Sequence, residues 1–169
     1  MRTLNARPWG TGLSLLLVLL VVAGCGIGRR HSELECMERA MFFESHRSSR
    51  DGMIAVGSVV MNRVQSRQYP NSVCAVVGQK GQFAPGIMSR PMKSQAMPEV
   101  REAARAVMRG ERHPFIGNAM FFHAASHRFS YDNMHYVLVA GGNAFYEKRR
   151  RELVTQPVPP RPVEGITRR

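Results

Sequence analysis

Apolar positions recur at helical spacing in the first half of this chain and at strand spacing in the second. Leu34, Met37, Met41 and position 44 fall three or four apart, so residues 32–47 are expected to form a helix with one apolar stripe. The next run, Met53, Ile54, Val56, Val59, Val60 and Val64, covers most of a helix circumference. A helix over residues 52–64 should therefore be buried on nearly all sides, with Ser49 or Asp51 as its cap. Gly57 and Ser58 would admit a close neighbour. A short helical turn at residues 72–77 carries Cys74. A further helix at 98–109 has Pro98 in its first turn, Glu99 and Glu102 near its positive end, and Gly110 as its stop. Then the period changes. Residues 119–123 and 136–139 read as strands, and Gly141-Gly142 before Phe145-Tyr146 reads as the turn of a hairpin. A mainly helical N-terminal half followed by a small antiparallel sheet is an α+β arrangement, expected over residues 31–152. Residues 153–169 hold Pro157, Pro159, Pro160 and Pro162 and little to bury, so a Pro-rich, extended and disordered tail is expected.

The N-terminus reads as an address. Arg2 and Arg7 precede an apolar run from Leu13 to Val22, followed by Ala23-Gly24-Cys25. A basic start, a short apolar stretch and small residues before a cleavage point form an export signal. The run is shorter than the about 20 residues that a permanent span needs. Cysteine directly after Val22-Ala23-Gly24 resembles the lipobox of bacterial lipoproteins. That resemblance implies removal of residues 1–24, acylation of Cys25 and a tether over 25–30. Gly26 in place of Asp resembles the outer-membrane sorting class, so the expected location is the cell envelope, lipid-anchored at the periplasmic face of the outer membrane. A plain signal peptide and an uncleaved anchor are the alternatives.

Charge narrows the partners. Twenty-four Lys and Arg against 12 Asp and Glu give a formal +12, which points to an anionic partner. Loss of residues 1–24 removes Arg2 and Arg7 and no acid, leaving +10. An exported, tethered protein meets cell-wall polymer and anionic lipid rather than nucleic acid. Of three cysteines, Cys25 is consumed by lipid, leaving Cys36 and Cys74 in an oxidising compartment where a disulfide is expected. Two buried free thiols are the alternative.

Glu44 is the residue of chemical interest. It shares the stripe of Leu34, Met37 and Met41, with Phe42 and Phe43 just before it. A carboxylate at an apolar helical position loses hydration of its charged form, which raises its pKa. A protonated acid near neutrality suits cleavage of a glycosidic bond, whose leaving oxygen must be protonated. The bland reading is a helix that ends near residue 44, with Glu44 at its edge or paired with Arg39 or Arg47.

Several short blocks lie in a telling order. They are Ala40-Met41-Phe42-Phe43-Glu44-Ser45, Asp51-Gly52, residues 55–64 (Ala-Val-Gly-Ser-Val-Val-Met-Asn-Arg-Val), Tyr69-Pro70-Asn71-Ser72-Val73-Cys74, Gly81-Gln82-Phe83, Phe122-His123-Ala124 and Gly142-Asn143-Ala144-Phe145-Tyr146. Together they resemble the SleB-type cell-wall hydrolase family over residues 36–147. The resemblance implies a lysozyme-like fold, peptidoglycan as partner, and Glu44 at the family's catalytic position. It also implies cleft positions for Gln82, Phe83, His123, Asn143 and Tyr146, although packing and turn structure would explain Phe83 and Tyr146 as well. Three departures qualify it. Ser48 stands where the family has a second glutamate, Ala144 where a histidine is usual, and Phe129 and Tyr131 where a tryptophan is common.

Retaining and inverting glycosidases of the usual kind need two carboxylates. Lytic transglycosylases, which this family resembles, need one, so loss of the carboxylate at Ser48 is compatible with activity. Asp132, on a loop, is the reserve carboxylate; Glu99 and Glu102 are explained by a helix first turn. His123 and His127, with His113 and His135, raise the thought of a zinc amidase. The stretch reads as a strand and lacks a His-Glu-x-x-His arrangement, so no metal and no cofactor are expected. An amidase, or a non-catalytic wall-binding lipoprotein, remain the competing functions. A monomer is expected.

Overall fold

The computed structural model describes residues 31–45 and 49–167. The expected signal, Cys25, the tether, Ser48 and the terminal Arg168 and Arg169 lie outside the described residues. None of the described helices is long and apolar enough to cross a membrane.

Helix α1 spans Glu33–Glu44, capped by Ser32, whose hydroxyl accepts from the Glu35 N–H at 3.1 Å. It stops earlier than its apolar spacing suggests. The Ser45 N–H and hydroxyl both turn back on the Met41 carbonyl, at 3.1 and 2.6 Å, and that local competition ends the helix with Glu44 as its last residue. Helix α2 spans Arg50–Gln65, and Ser49 rather than Asp51 is its cap, accepting from the Gly52 N–H at 3.0 Å. Residues 51–60 of α2 are buried without interruption, as its all-round apolar pattern requires. Gly57 sits where a Cβ would collide with the end of Met41 and crowd Val107, so its lack of a side chain lets the helices close on each other.

Helix α3 spans Val73–Val77, and the Glu33 carboxylate accepts its first N–H groups, from Val73 at 2.5 Å and Cys74 at 3.3 Å. A disulfide joins Cys36 of α1 to Cys74 of α3. Helix α4 spans Met97–Met108 with Pro98 in its first turn, and the chain leaves it through Gly110 at φ 111°. Its Glu102 meets Arg50 at the start of α2 at 3.0 Å, and Glu111 meets the same guanidinium at 2.6 Å. These acids therefore stitch α4 to α2.

Strands β1 (Phe121–Ala124), β2 (Met134–Ala140) and β3 (Asn143–Lys148) form an antiparallel sheet in the order β1-β3-β2. The strand expected from residue 119 begins at 121, because Asn62 of α2 donates to the carbonyls of Gly117 and Ala119 and holds that approach out of the ladder. Phe122, Leu138 and Phe145 face the helical core. Met134, Tyr136, Ala144 and Tyr146 form a second, smaller cluster on the other side.

The tail corrects the expectation of a disordered appendage. It is extended, yet it is tied to the domain. Gln156 accepts from the Tyr136 N–H, and the Val163 N–H donates to Val139, both at 2.9 Å. The Glu164 carboxylate takes the Gly141 N–H at 2.7 Å. The N–H groups of Ile166 and Thr167 reach Asp51 at 2.9 and 2.6 Å, and the Thr167 hydroxyl adds a short contact to the same carboxylate. A composition poor in apolar residues does not exclude docking through backbone groups.

Candidate active site

Glu44, at the end of α1, opens into a cleft of about 380 Å³ between the helices and the sheet. Phe43, Gln82, Phe83, Phe122, His123 and Asn143 also line it, so four of the five cleft residues implied by the resemblance meet Glu44 in one place. Glu44 is the only carboxylate among the described lining residues. It is half-buried, and its Oε1 accepts the Ala84 N–H at 2.6 Å.

The segment that carries Ala84 is held by α1 itself. Arg39 donates to the carbonyls of Ile87 and Arg90, each at 2.9 Å, and pairs with Glu35 at 3.1 Å. Arg39 thus positions the cleft wall and pairs with Glu35, a different role from the pairing with Glu44 that the bland reading allowed. Asn143 anchors the other side. Its amide donates to the backbone carbonyl of Glu44 at 2.6 Å, so it fixes the end of α1 against β3. The hairpin turn is pressed close by: a Cβ on Gly52 would lie 2.6 Å from the Gly141 Cα, and Gly141 has φ 54°.

Arg63 is the residue that pattern reading passed over. Only 4% exposed, it lines the same cleft as Glu44. Its guanidinium lies 5.1 Å from the Tyr69 ring centroid and 5.2 Å from that of Phe83, while its Nε donates to the Met120 carbonyl at 2.8 Å. Its Nη1 is buried with no hydrogen-bond partner among the described residues. Burial pushes its pKa down, and the charges of Tyr69, Tyr146 and Glu44 pull it back. A usable signal was present, since an arginine inside a helix buried all round needs a reason.

The other predicted residues separate. His123 donates or accepts at Nε2 with the Tyr136 hydroxyl, 2.8 Å away, and lies at the cleft edge. Tyr146 does not line the Glu44 cleft. It borders a second cavity of about 250 Å³, although its ring centroid is 5.8 Å from that of His123. Burial raises its phenol pKa, and Tyr136 adds to the effect. Ala144, fully buried, sits opposite His123 across the ladder, so a histidine there would have adjoined it. Asp132 is exposed, 3.7 Å from Arg151, and does not line the cleft. The histidines take up different tasks: His113 is buried near Asp51, and His135 accepts tail N–H groups of Thr155 and Gln156. Among the described residues no three of His, Cys, Asp and Glu converge as metal ligands would.

No curated protein sequence matches the chain significantly. Two solved structures do share its fold. The catalytic domain of the germination-specific lytic transglycosylase SleB from Bacillus anthracis is 21% identical, with TM-score 0.57 over 72% of this chain and 98% of that one. The catalytic domain of the Bacillus cereus SleB protein gives 21% and 0.57 over 70% and 94%. The α+β, lysozyme-like arrangement expected from the sequence is therefore the fold. A model of the cell wall hydrolase family matches residues 47–146, which include the Ala84 wall, Arg63 and the sheet, and begin three residues after Glu44. With that match over more than half of its length, the chain belongs to the cell wall hydrolase family.

Proposed function

We propose that this protein cleaves the glycan strands of peptidoglycan as a lytic transglycosylase, with Glu44 as its single general acid and base. The observation that carries the reading is the cleft's one described carboxylate, at the end of α1, with the Ala84 N–H on Oε1. The family membership and the SleB fold support the substrate class.

Glu44 gives its proton to the oxygen leaving C1 of the muramic sugar, and the glycosidic C1–O bond breaks. The resulting carboxylate takes the proton from that sugar's own C6 hydroxyl, whose oxygen bonds to C1. A 1,6-anhydro end and a new 4-hydroxyl end result, and the protein regains its proton. The Ala84 N–H supports the charged intermediate state of Glu44 and fixes which oxygen faces the sugar. Water in place of the C6 hydroxyl would make the same site a muramidase.

Digestion of purified peptidoglycan by residues 31–169, with products identified by mass spectrometry, tests this. Anhydro ends are expected. Reducing ends would mean hydrolysis, free stem peptides an amidase, and no products a wall-binding protein. For the envelope address, we propose lipid anchoring at Cys25 of a monomeric protein. Incorporation of labelled fatty acid, lost in Cys25→Ser, is the expected result; label retained in that variant would overturn it.

A further inference from the structure

We infer that the outer face of the sheet carries a second saccharide subsite, where a sugar ring lies against Tyr131 and Phe129 in line with the Glu44 cleft. This rests on the glycan reading above and extends it to a stretch of surface outside the cleft. Tyr131 is 68% exposed and Phe129 48% exposed, large apolar surfaces left in water. They are ordered against each other, with ring centroids 5.8 Å apart and planes within 16°, and His127 continues the stack from Phe129 at 6.5 Å and 17°. Phe129 also sets its edge on His123, 4.8 Å between centroids at 78°. His123 lines the Glu44 cleft, so the stack is joined to the candidate site by direct ring contact.

At the Tyr131 end of this stack lies the cavity of about 250 Å³, lined by Tyr131, Asn133, Met134, Tyr146 and Lys148. Its chemistry fits a hexosamine. A pyranose presents a face of C–H bonds, which an aromatic ring covers, and an edge of polar groups, which needs donors and acceptors. The exposed Tyr131 ring supplies the first, and the Asn133 amide and Lys148 ammonium supply the second. Lys148 is held at the rim by the Phe121 ring, with Nζ 4.5 Å from its centroid. Its neighbours Arg149 and Arg151 are engaged by Glu147 and Asp132. That leaves Lys148 placed to meet the carboxylates of peptide-bearing sugars. The two cavities adjoin through one ring contact, since Tyr146 borders this one and His123, 5.8 Å from it between centroids, lines the Glu44 cleft.

The test uses the Glu44→Gln protein, which keeps the cleft and spares the ligand, titrated calorimetrically with N-acetylglucosamine oligomers from trimer to hexamer. Affinity should rise with length, and Tyr131→Ala should erase that rise, weakening hexamer binding about tenfold. Tyr131→Trp should restore it, and an unchanged melting temperature in both variants excludes unfolding. Lys148→Gln should weaken binding of peptide-bearing muropeptides more than that of the neutral oligomers. A hexamer that binds Tyr131→Ala as tightly as the parent, while the unmutated protein cuts peptidoglycan, overturns this subsite alone. Failure of every oligomer to bind and of the unmutated protein to cut overturns the substrate reading and this subsite with it.

Discussion

A carboxylic acid that must first give and then take a proton needs surroundings that favour neither state too strongly. Around Glu44, Phe43, Phe83 and Phe122 disfavour charge, while the Ala84 N–H and the Arg63 guanidinium favour it. Glu44→Gln keeps the size of the side chain and can still accept the Ala84 N–H, so the variant should fold with a melting temperature at or above the parent's. Muropeptide release should fall at least 10²- to 10⁴-fold, roughly the range for general acid–base catalysis. A folded variant that releases muropeptides at the parent rate would remove Glu44 from the mechanism. Arg63 acts through charge as well as packing. Its loss removes a cation that stabilises ionised Glu44, so Glu44 should keep its proton to higher pH. In Arg63→Gln the alkaline limb of the rate profile should move up by about one pH unit. Arg63→Lys, which retains the charge, should hold the limb near its place; equal profiles in all three proteins would leave Arg63 a packing residue. His123, Tyr69 and Tyr146, which lie beside Arg63 or the cleft, are kept intact in the comparison, as is Arg90, which lies over the Phe43 ring.

Between elements, two contacts hold the site's frame. The Cys36–Cys74 bridge closes a sequence separation of 38 and ties α1, which ends in Glu44, to α3. In the chain-entropy model a loop of that length is worth about 4 kcal/mol. Replacing both cysteines by alanine should lower the unfolding free energy by roughly that amount in urea titration, with the loss visible before any change in specific activity at low temperature. The second contact is backbone on backbone. At Gly52 an added Cβ would meet the Gly141 Cα at 2.6 Å, and neither partner has a flexible end to yield. Gly52→Ala should therefore cost about 1–3 kcal/mol. It should also displace the hairpin whose Asn143 holds the Glu44 carbonyl, so activity should fall beyond what the lost stability explains. By contrast, Gly57 faces the end of Met41, which can swing aside.

At the scale of the whole molecule, the tail returns to the start of α2 and makes Asp51 a junction. Burial pushes the Asp51 carboxyl up, but the Thr167 hydroxyl and the N–H groups of Ile166 and Thr167 outweigh it, and the net direction is down. Its neighbour His113, 1% exposed with Nε2 3.9 Å from Asp51, is pushed down by burial despite the carboxylate. Both groups bind protons more readily when unfolded, so both make stability fall as pH falls. The His113 contribution should begin to disappear as pH drops through its unfolded value of about 6.5, and the Asp51 contribution only below about 4. Two acid-induced losses in melting temperature are the expected outcome. Truncation after Pro162 should destabilise the protein by about 2–3 kcal/mol at neutral pH, through the stranded carboxylate. It should also flatten the lower loss, while His113→Gln removes the upper one.

The sequence by itself determined the elements and their order. Helical spacing marked α1 and α2, start and stop signals marked α4, the change to strand spacing marked the sheet, and Gly141-Gly142 marked the hairpin, because periodicity, capping and turn chemistry are local properties of the chain. Glu44 was legible as an acid on an apolar stripe, and the ordered blocks gathered Gln82, Phe83, His123 and Asn143 around it. Tertiary structure alone decided what those residues touch. The donor on Glu44 is a backbone N–H of Ala84, and no side-chain pattern encodes which amide a fold will aim. Arg63 faces a cleft assembled from parts of the chain far apart in sequence, so its burial could be counted only once they met. Tyr146 matched a block like the others, yet the pleat packs it with Met134, Tyr136 and Ala144, where it borders a neighbouring cavity instead of lining the Glu44 cleft. The tail, with few apolar residues to announce it, docks by hydrogen bonds to Asp51 and Gly141, and such bonds exist only where a folded surface leaves donors and acceptors waiting.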